Sequence, residues 1–535
     1  MAMAGSTQRG RRQAVVIVHG MGEQRPLDAL TGFVRSGLPP DESGHRRYVS
    51  RPDIVTGKYE SRRFVAPAAG NRPQTEFFEY HWAHLMQGNR LADMGPTFRR
   101  LLVRLPWRLP AGLRGVWLLF WGLVLTFAWV ITFGPLSGHL DKLDEWPRVL
   151  TLLLGTSAFG VVLTFLLTHV GKAVPGMLTN SFVDVVRYLD SSPRSYAVRH
   201  EIRKGFVDLL KSLHTSRYEG MPRYERVVVV SHSLGAYIAY DGICQLWSEM
   251  NHRARKGATG APDGLPHLER MAALLPPRGS KRTPSDAETT DFRRAQSRLW
   301  HGLRDQGNPW LITDFISAGT PMSFADLLYT RTREKFDEKV DRREIPTCPP
   351  QSYDRPRGTE RTDLYYSHDW HDRSVVYDGA PFAVVRWTNL WFPAVPRAFG
   401  FFGDWFGGPL RPLFGNGILD IPVRGNLPKR LVPAFAHTLY FKYPDKRDND
   451  SVTQHLQVAL ALGDLGTPPT GRQVERATKL LRENGFPTWK MSEKHADLLD
   501  PRNTLPSGRV KAWLCSMTRA EICNLIDSLE QRRKH

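Results

Sequence analysis

The sequence predicts an α/β fold, a mostly parallel sheet covered by helices on both faces. Three observations carry this expectation. Short apolar, β-branched runs, Ala14 to Val18 and Arg226 to Val230, read as strands buried on both faces. Stretches with helical apolar spacing, near Leu27 to Ser36 and from Arg194 to Leu213, separate such runs. The segment Val227 to Tyr240, VVVVSHSLGAYIAY, reads as a strand, a tight turn and an apolar helix in direct succession. Strands that alternate with helices imply a parallel sheet.

Taken in order, Ala14 to Val18 leads into the turn His19-Gly20-Met21-Gly22 and then the first helix. Thr75 to Trp82 alternates enough to be a second strand. Late in the chain, Phe382 to Phe392, FAVVRWTNLWF, is strand-like, and Ile418 to Val423 is a shorter strand. Two polar segments, Asn251 to Asp305 and Tyr329 to His371, are rich in Arg, Pro, Asp and Glu and are expected to be surface loops. Beyond Asp448 the spacing is helical in Val452 to Leu462, Gly471 to Asn484 and Thr518 to Leu529. That region is either an interaction module or, more simply, a packing appendage.

Two runs interrupt this pattern. Gly115 to Phe133, GVWLLFWGLVLTFAWVITF, and Val149 to Val170, VLTLLLGTSAFGVVLTFLLTHV, contain no Lys, Arg, Asp or Glu. Each is long enough to cross a hydrocarbon layer of about 30 Å as a helix. Arg99, Arg100, Arg104, Arg108 and Arg114 precede the first run and Lys172 follows the second, while the connecting loop holds Asp141, Asp144 and Glu145. The excess of Lys and Arg on the flanks predicts a two-span hairpin in the cell membrane with both termini and the main body cytoplasmic. The expected organisation is a first part of the α/β domain over 1–112, a transmembrane hairpin over 113–171, the rest of the α/β domain over 172–447, and a helical region over 448–535.

The net charge of +20 suits an anionic partner. No nucleic-acid recognition motif accompanies it, and the cytosolic face of a bilayer accounts for it, so a lipid bilayer and not a nucleic acid is the expected partner. The four cysteines, Cys244, Cys348, Cys515 and Cys523, form neither a CxxC pair nor a zinc-ligand spacing. They suit a reducing compartment. Neither a phosphate-binding loop nor a dinucleotide fingerprint is present, and no metal or other cofactor is expected.

The turn Ser231-His232-Ser233-Leu234-Gly235 resembles the nucleophile elbow of α/β-hydrolases, G-x-S-x-G, with Ser231 at the first glycine position. Its context, a strand before and a helix after, is the one the motif requires. The elbow would present the Ser233 hydroxyl at the carboxyl end of the sheet and aim the Leu234 amide at a developing oxyanion. His19-Gly20 resembles the oxyanion turn of lipases and esterases, which makes Met21 the second expected amide donor. The adjacent His232 projects differently from Ser233 and is a poor candidate for the general base.

In this fold the acid and the histidine follow the serine in chain order. Asp404 stands alone in the aromatic, glycine-rich loop Gly403 to Gly408, where a carboxylate needs a partner. Asp420 is its main rival, with Asp326 and Asp378 behind. His437, in Ala434 to Tyr440, follows the next short strand; His368 and His371 come before Asp404 and so break the order. The expected constellation is Ser233, Asp404 and His437. The resemblance is to lipase- or esterase-like members of the α/β-hydrolase superfamily and spans residues 14 to 445 in outline; Ile312 to Leu328, with Ser317-Ala318-Gly319-Thr320-Pro321, resembles a later strand and turn of that fold.

The family implies hydrolysis of an ester, thioester or amide through an acyl-serine, without a cofactor. With the hairpin, this gives a membrane-anchored serine esterase acting on a lipid or other acyl ester. The alternative is a catalytically idle hydrolase scaffold used for membrane interaction or signalling. The aromatics Trp387, Trp391, Phe392, Phe399, Phe401, Phe402, Trp405, Phe406 and Phe414 either form a surface that dips into the bilayer interface or pack into the core.

Overall fold

The computed structural model describes residues 12–20, 25–38, 48–56, 62–68, 73–86, 103–109, 114–115, 117–118, 121–122, 124, 183–189, 193–330, 332–351, 365–367, 374–394, 403–423, 435–441, 452–460, 471–483, 526 and 529. In chain order the strands of its main sheet are β1 (Arg12–Val18), β2 (Val49–Pro52), β3 (Arg62–Ala66), β4 (Gln74–Tyr80), β5 (Arg226–His232), β6 (Ile312–Ala318), β7 (Arg386–Trp391) and β8 (Leu419–Pro422). Their spatial order is β8-β7-β6-β5-β1-β4-β3-β2. The run from β8 to β4 is parallel throughout. The edge formed by β3 and β2 is antiparallel.

The period-2 geometry of a strand sorts the side chains of β1 and β5 between two cores. Ala14, Val16, Val18, Val227 and Val229 face one, and Val15, Ile17, Val228 and Val230 face the other. All nine are fully buried, which is why these strands read as unbroken apolar runs. The helices that cover the sheet are α1 (Asp28–Gly37), α2 (Pro193–Thr215), α3 (Gly235–Met250), α4 (Asp286–Asp305) and α5 (Val452–Leu460). Ile202, Phe206 and Leu210 of α2, Ala239 and Ile243 of α3, and Phe292, Ala295 and Leu299 of α4 fill the first core. Leu30, Phe33 and Val34 of α1 and Val452, Leu456 and Leu460 of α5 fill the second.

The segment 251–305 departs from expectation. It was expected to be surface loop, yet α4 lies within it. Ser285 and Glu288 form a reciprocal capping box at its start, and Thr289, Phe292, Ala295, Gln296 and Leu299 are buried on one face. The charged residues that suggested a loop occupy its other face. The strand expected over 382–392 begins only at Arg386, because Pro381 opens a short 3-10 turn over Pro381–Ala383. That turn is as buried as a strand, and burial alone does not separate the two in sequence.

The first helix of the C-terminal region is part of the main body. Gln13 of β1 donates its side-chain amide to Leu460 O at 2.7 Å, and Gln457 donates to Gly37 O at 3.1 Å. Among the described residues, no helix is long and apolar enough to cross a membrane. The hairpin expected over 113–171 lies almost wholly outside the described residues, and so does the helix expected over 518–529 apart from residues 526 and 529.

Candidate active site

The parallel register brings the carboxyl ends of β1, β5 and β6 side by side, with Val18 opposite Ser231 and Ser231 opposite Ser317. At the end of β5 the chain turns sharply into α3. Ser233 takes a left-handed backbone conformation there, φ 54°. A residue with a side chain held in that region costs about 1–3 kcal/mol and persists where its surroundings impose it. Two backbone bonds hold this turn, from Ser233 N to Ala318 O at 3.0 Å and from Ala236 N to Ser233 O at 3.1 Å.

The elbow needs small neighbours, and each meets that need in its own way. Ser231 is fully buried at the first glycine position, and its hydroxyl donates to Ile316 O on the adjacent strand at 3.1 Å. Gly235 has no such latitude. A Cβ there would lie 2.4 Å from both Val18 O and His19 O, so only glycine lets the start of α3 close on the end of β1.

His437 lies on the 3-10 turn Phe435–Thr438. Its Nε2 accepts from Ser233 Oγ at 2.9 Å and its Nδ1–H donates to Asp404 Oδ1 at 3.0 Å. The Phe406 amide also donates to Asp404 Oδ1, at 2.9 Å, an Asx-type turn two residues on. The Tyr440 hydroxyl donates to Asp404 Oδ2 at 2.7 Å and itself accepts from Phe392 N at 2.9 Å. Burial pushes the Asp404 carboxyl upward, but the neighbouring His437 and the donated hydrogen bonds prevail, and it titrates below the ordinary carboxylate value. Ser233 and Asp404 have no exposed surface and His437 is 6% exposed. Charge developing in such a water-poor setting is felt strongly by fixed donors.

The Leu234 amide, at the amino end of α3, makes no hydrogen bond among the described residues. It stands next to Ser233, the place an oxyanion donor would occupy if Ser233 acted as a nucleophile. Met21, the second expected donor, lies outside the described residues. The turn that leads to it is held from both sides. His19 is neutral: its Nδ1–H donates to Gly20 O at 2.9 Å, its Nε2 accepts from Trp82 N at 3.2 Å, and its ring stacks on that of Trp82. Burial lowers its pKa from 6.5 to about 3. Gly20 passes so close to the elbow that a Cβ would sit 2.7 Å from His232 Nδ1 and 3.0 Å from Ser233 Cβ.

His232 does not reach Ser233 as a base. Its Nε2–H donates to the backbone carbonyl of His437 at 2.9 Å, so it holds the turn that carries the imidazole. Burial and the adjacent His437 lower its pKa to about 3, so it is a neutral donor. Asp420, the rival acid, is occupied elsewhere. It accepts from the Leu410 and Arg411 amides at 2.8 Å each and from Asn389 Nδ2 at 2.7 Å, and burial raises its pKa to about 6. Asp326 bonds its own next amide, Leu327 N, at 3.0 Å, Asp378 lies in the turn after Val376, and His368 and His371 lie outside the described residues.

The aromatic stretch splits. Trp387, Phe392, Trp405, Phe406 and Phe414 are buried, and the Phe406 ring packs edge-on against His437 with centroids 4.9 Å apart. Those five are core, not an interfacial surface; Trp391 is half-buried, and Phe399, Phe401 and Phe402 lie outside the described residues. Sequence reasoning missed Tyr440. The signal was its spacing of three from His437, two residues past the 3-10 turn Phe435–Thr438. It also missed the part His232 plays, which only the fold reveals. No protein-family model, no curated protein and no solved structure matches this chain.

Proposed function

We propose that the chain is a membrane-anchored serine hydrolase that cleaves acyl esters, with a lipid or lipid-like ester as substrate. The observation that carries this reading is the continuous relay Ser233–His437–Asp404, with bonds of 2.9 and 3.0 Å. His437 Nε2 takes the Ser233 proton as Oγ attacks the ester carbonyl carbon. Asp404 holds the Nδ1–H tautomer and stabilises the imidazolium that forms. The oxyanion is received by the Leu234 amide, with the Met21 amide as the second expected donor. Collapse of the tetrahedral intermediate expels the alcohol, which takes the proton from His437. Water, deprotonated by the same imidazole, then attacks the acyl-serine and releases the acid and Ser233.

The apolar surroundings, Phe406 against His437 and buried Leu234, favour an acyl chain over a charged group beside the reacting bond. The two charge-free runs, Gly115 to Phe133 and Val149 to Val170, support a membrane anchor and so a substrate presented by a bilayer. The test measures hydrolysis of a short soluble ester and of a long-chain ester in vesicles by the intact chain and by Ser233→Ala. Turnover of either ester that vanishes in Ser233→Ala supports the hydrolase, and preference for the vesicle ester supports the lipid substrate. No turnover of any ester would identify an idle scaffold instead.

A further inference from the structure

At the opposite end of the sheet from Ser233 lies a cavity of about 400 Å³, lined by Arg12, Arg51, Arg63 and Arg223 together with Glu76 and Tyr218. It opens at the amino ends of β1 and β4. The six residue-to-residue steps from Arg12 to Val18 separate it from the elbow by about 20 Å, at roughly 3.3 Å per step. Its volume falls within the range of small-ligand sites, about 300–1,000 Å³.

Four guanidinium groups here face one carboxylate, and that carboxylate is already committed. Glu76 Oε1 accepts from Arg223 Nη2 at 2.8 Å, and Oε2 accepts from the Tyr224 hydroxyl at 2.8 Å. Arg63 Nε approaches Glu76 Oε2 at 3.1 Å, an ion-pair contact outside hydrogen-bond geometry. Arg63 is 5% exposed, and among the described residues its Nη1 has no hydrogen-bond partner. Leaving a buried, charged donor without an acceptor is costly, so it marks a place where an acceptor is due. Arg12 is already ordered for such a ligand, with its guanidinium 3.8 Å from the centroid of the Tyr218 ring. Arg51, on the edge strand β2, stands at the exposed rim.

We infer that this cavity binds the phosphate group of a small phosphomonoester. Planar guanidinium forks match tetrahedral oxyanions in pairs, and a dianion offsets most of the excess positive charge of the lining. Gln74 completes the polar wall, and Val49, Val65 and Pro67 suit a carbon-bearing substituent on the phosphate. The phosphate could come from a soluble metabolite or from the headgroup of an anionic lipid, and the two sources are separable. This inference stands apart from the chemistry at Ser233.

The test uses the full chain in detergent, titrated calorimetrically with inorganic phosphate, and the full chain in nanodiscs of phosphatidylcholine with and without phosphatidic acid, followed by thermal unfolding. Variants Arg12→Ala and Arg51→Ala leave the buried Arg63–Glu76–Arg223 cluster in place. Saturable phosphate binding that weakens at least tenfold in both variants is the expected result and supports a soluble ligand. Stabilisation by phosphatidic acid alone, absent in the variants, supports the headgroup. No response to either probe, or a response the variants leave unchanged, overturns the site.

Discussion

Tyr440 donates to the Asp404 oxygen that His437 does not use, so the carboxylate is held from both sides: Oδ1 by His437 and the Phe406 amide, Oδ2 by the tyrosine hydroxyl. Tyr440→Phe removes the donor to Oδ2 and the hydroxyl that accepts from the buried Phe392 amide. A hydrogen bond to a charged group is worth about 1.5–3 kcal/mol and an orphaned buried amide costs about 1–3 kcal/mol. The expected outcome is a fall in kcat of about ten- to a hundredfold with KM little changed, and a lower denaturant midpoint. An unchanged kcat would show that the hydroxyl does not position the carboxylate.

The two aspartates of this region separate by function. Asp404→Asn presents the wrong partner to His437 Nδ1–H and should reduce turnover by about 10³–10⁴-fold. Asp420→Asn lies outside the relay and should leave turnover near wild type. Ester hydrolysis by both variants, beside circular dichroism to verify folding, decides between them. The reverse pattern would move the acid to Asp420.

His19 supplies a pH dependence whose sign follows from its burial. Its folded pKa is depressed to about 3 against an ordinary 6.5, so between these values the unfolded chain binds a proton that the folded chain does not. Stability is therefore lost as pH falls from 6.5 towards 3. Between pH 6.5 and 5 this amounts to about 2 kcal/mol, at 1.36 kcal/mol per unit. Denaturant unfolding of wild type and His19→Gln at pH 7 and pH 5 should show wild type losing about that much more than the variant. Parallel losses would mean that His19 is not held neutral.

The docking of α5, the first helix of the C-terminal region, has an energetic consequence. Leu460 is fully buried in the core beneath β1 and β5. Leu460→Ala should cost about 2–5 kcal/mol, the usual range for a buried leucine. Chemical denaturation checks this, and a change below about 0.5 kcal/mol would make the region an independent appendage.

What could be read from the sequence was what local chemistry dictates. The β-branched runs of β1 and β5 are buried on both faces, so their apolar monotony was legible. The elbow was legible because strand, turn and helix are contiguous between Val227 and Tyr240. Asp404 and His437 followed from chain order and from the difficulty of leaving a carboxylate unpaired in an aromatic loop. The helix α4 was obscured because the charged residues of its exposed face mimic a loop. The bonds from Tyr440 to Asp404 and from His232 to the His437 carbonyl depend on the approach of separate segments, so the short spacings near His437 and Asp404 only hint at them. The cavity of four arginines draws on β1, β2, β3 and the segment just before β5, and its residues are scattered from 12 to 223 in the chain.

The most direct test of the central claim is covalent labelling of the intact chain with a fluorophosphonate, followed by peptide mass spectrometry. The expected product is a single phosphonyl adduct on Ser233, formed in wild type, abolished in Ser233→Ala and much slower in His437→Ala, since the relay must activate Oγ. An unmodified Ser233 in a folded protein, or labelling that persists in Ser233→Ala, would contradict it.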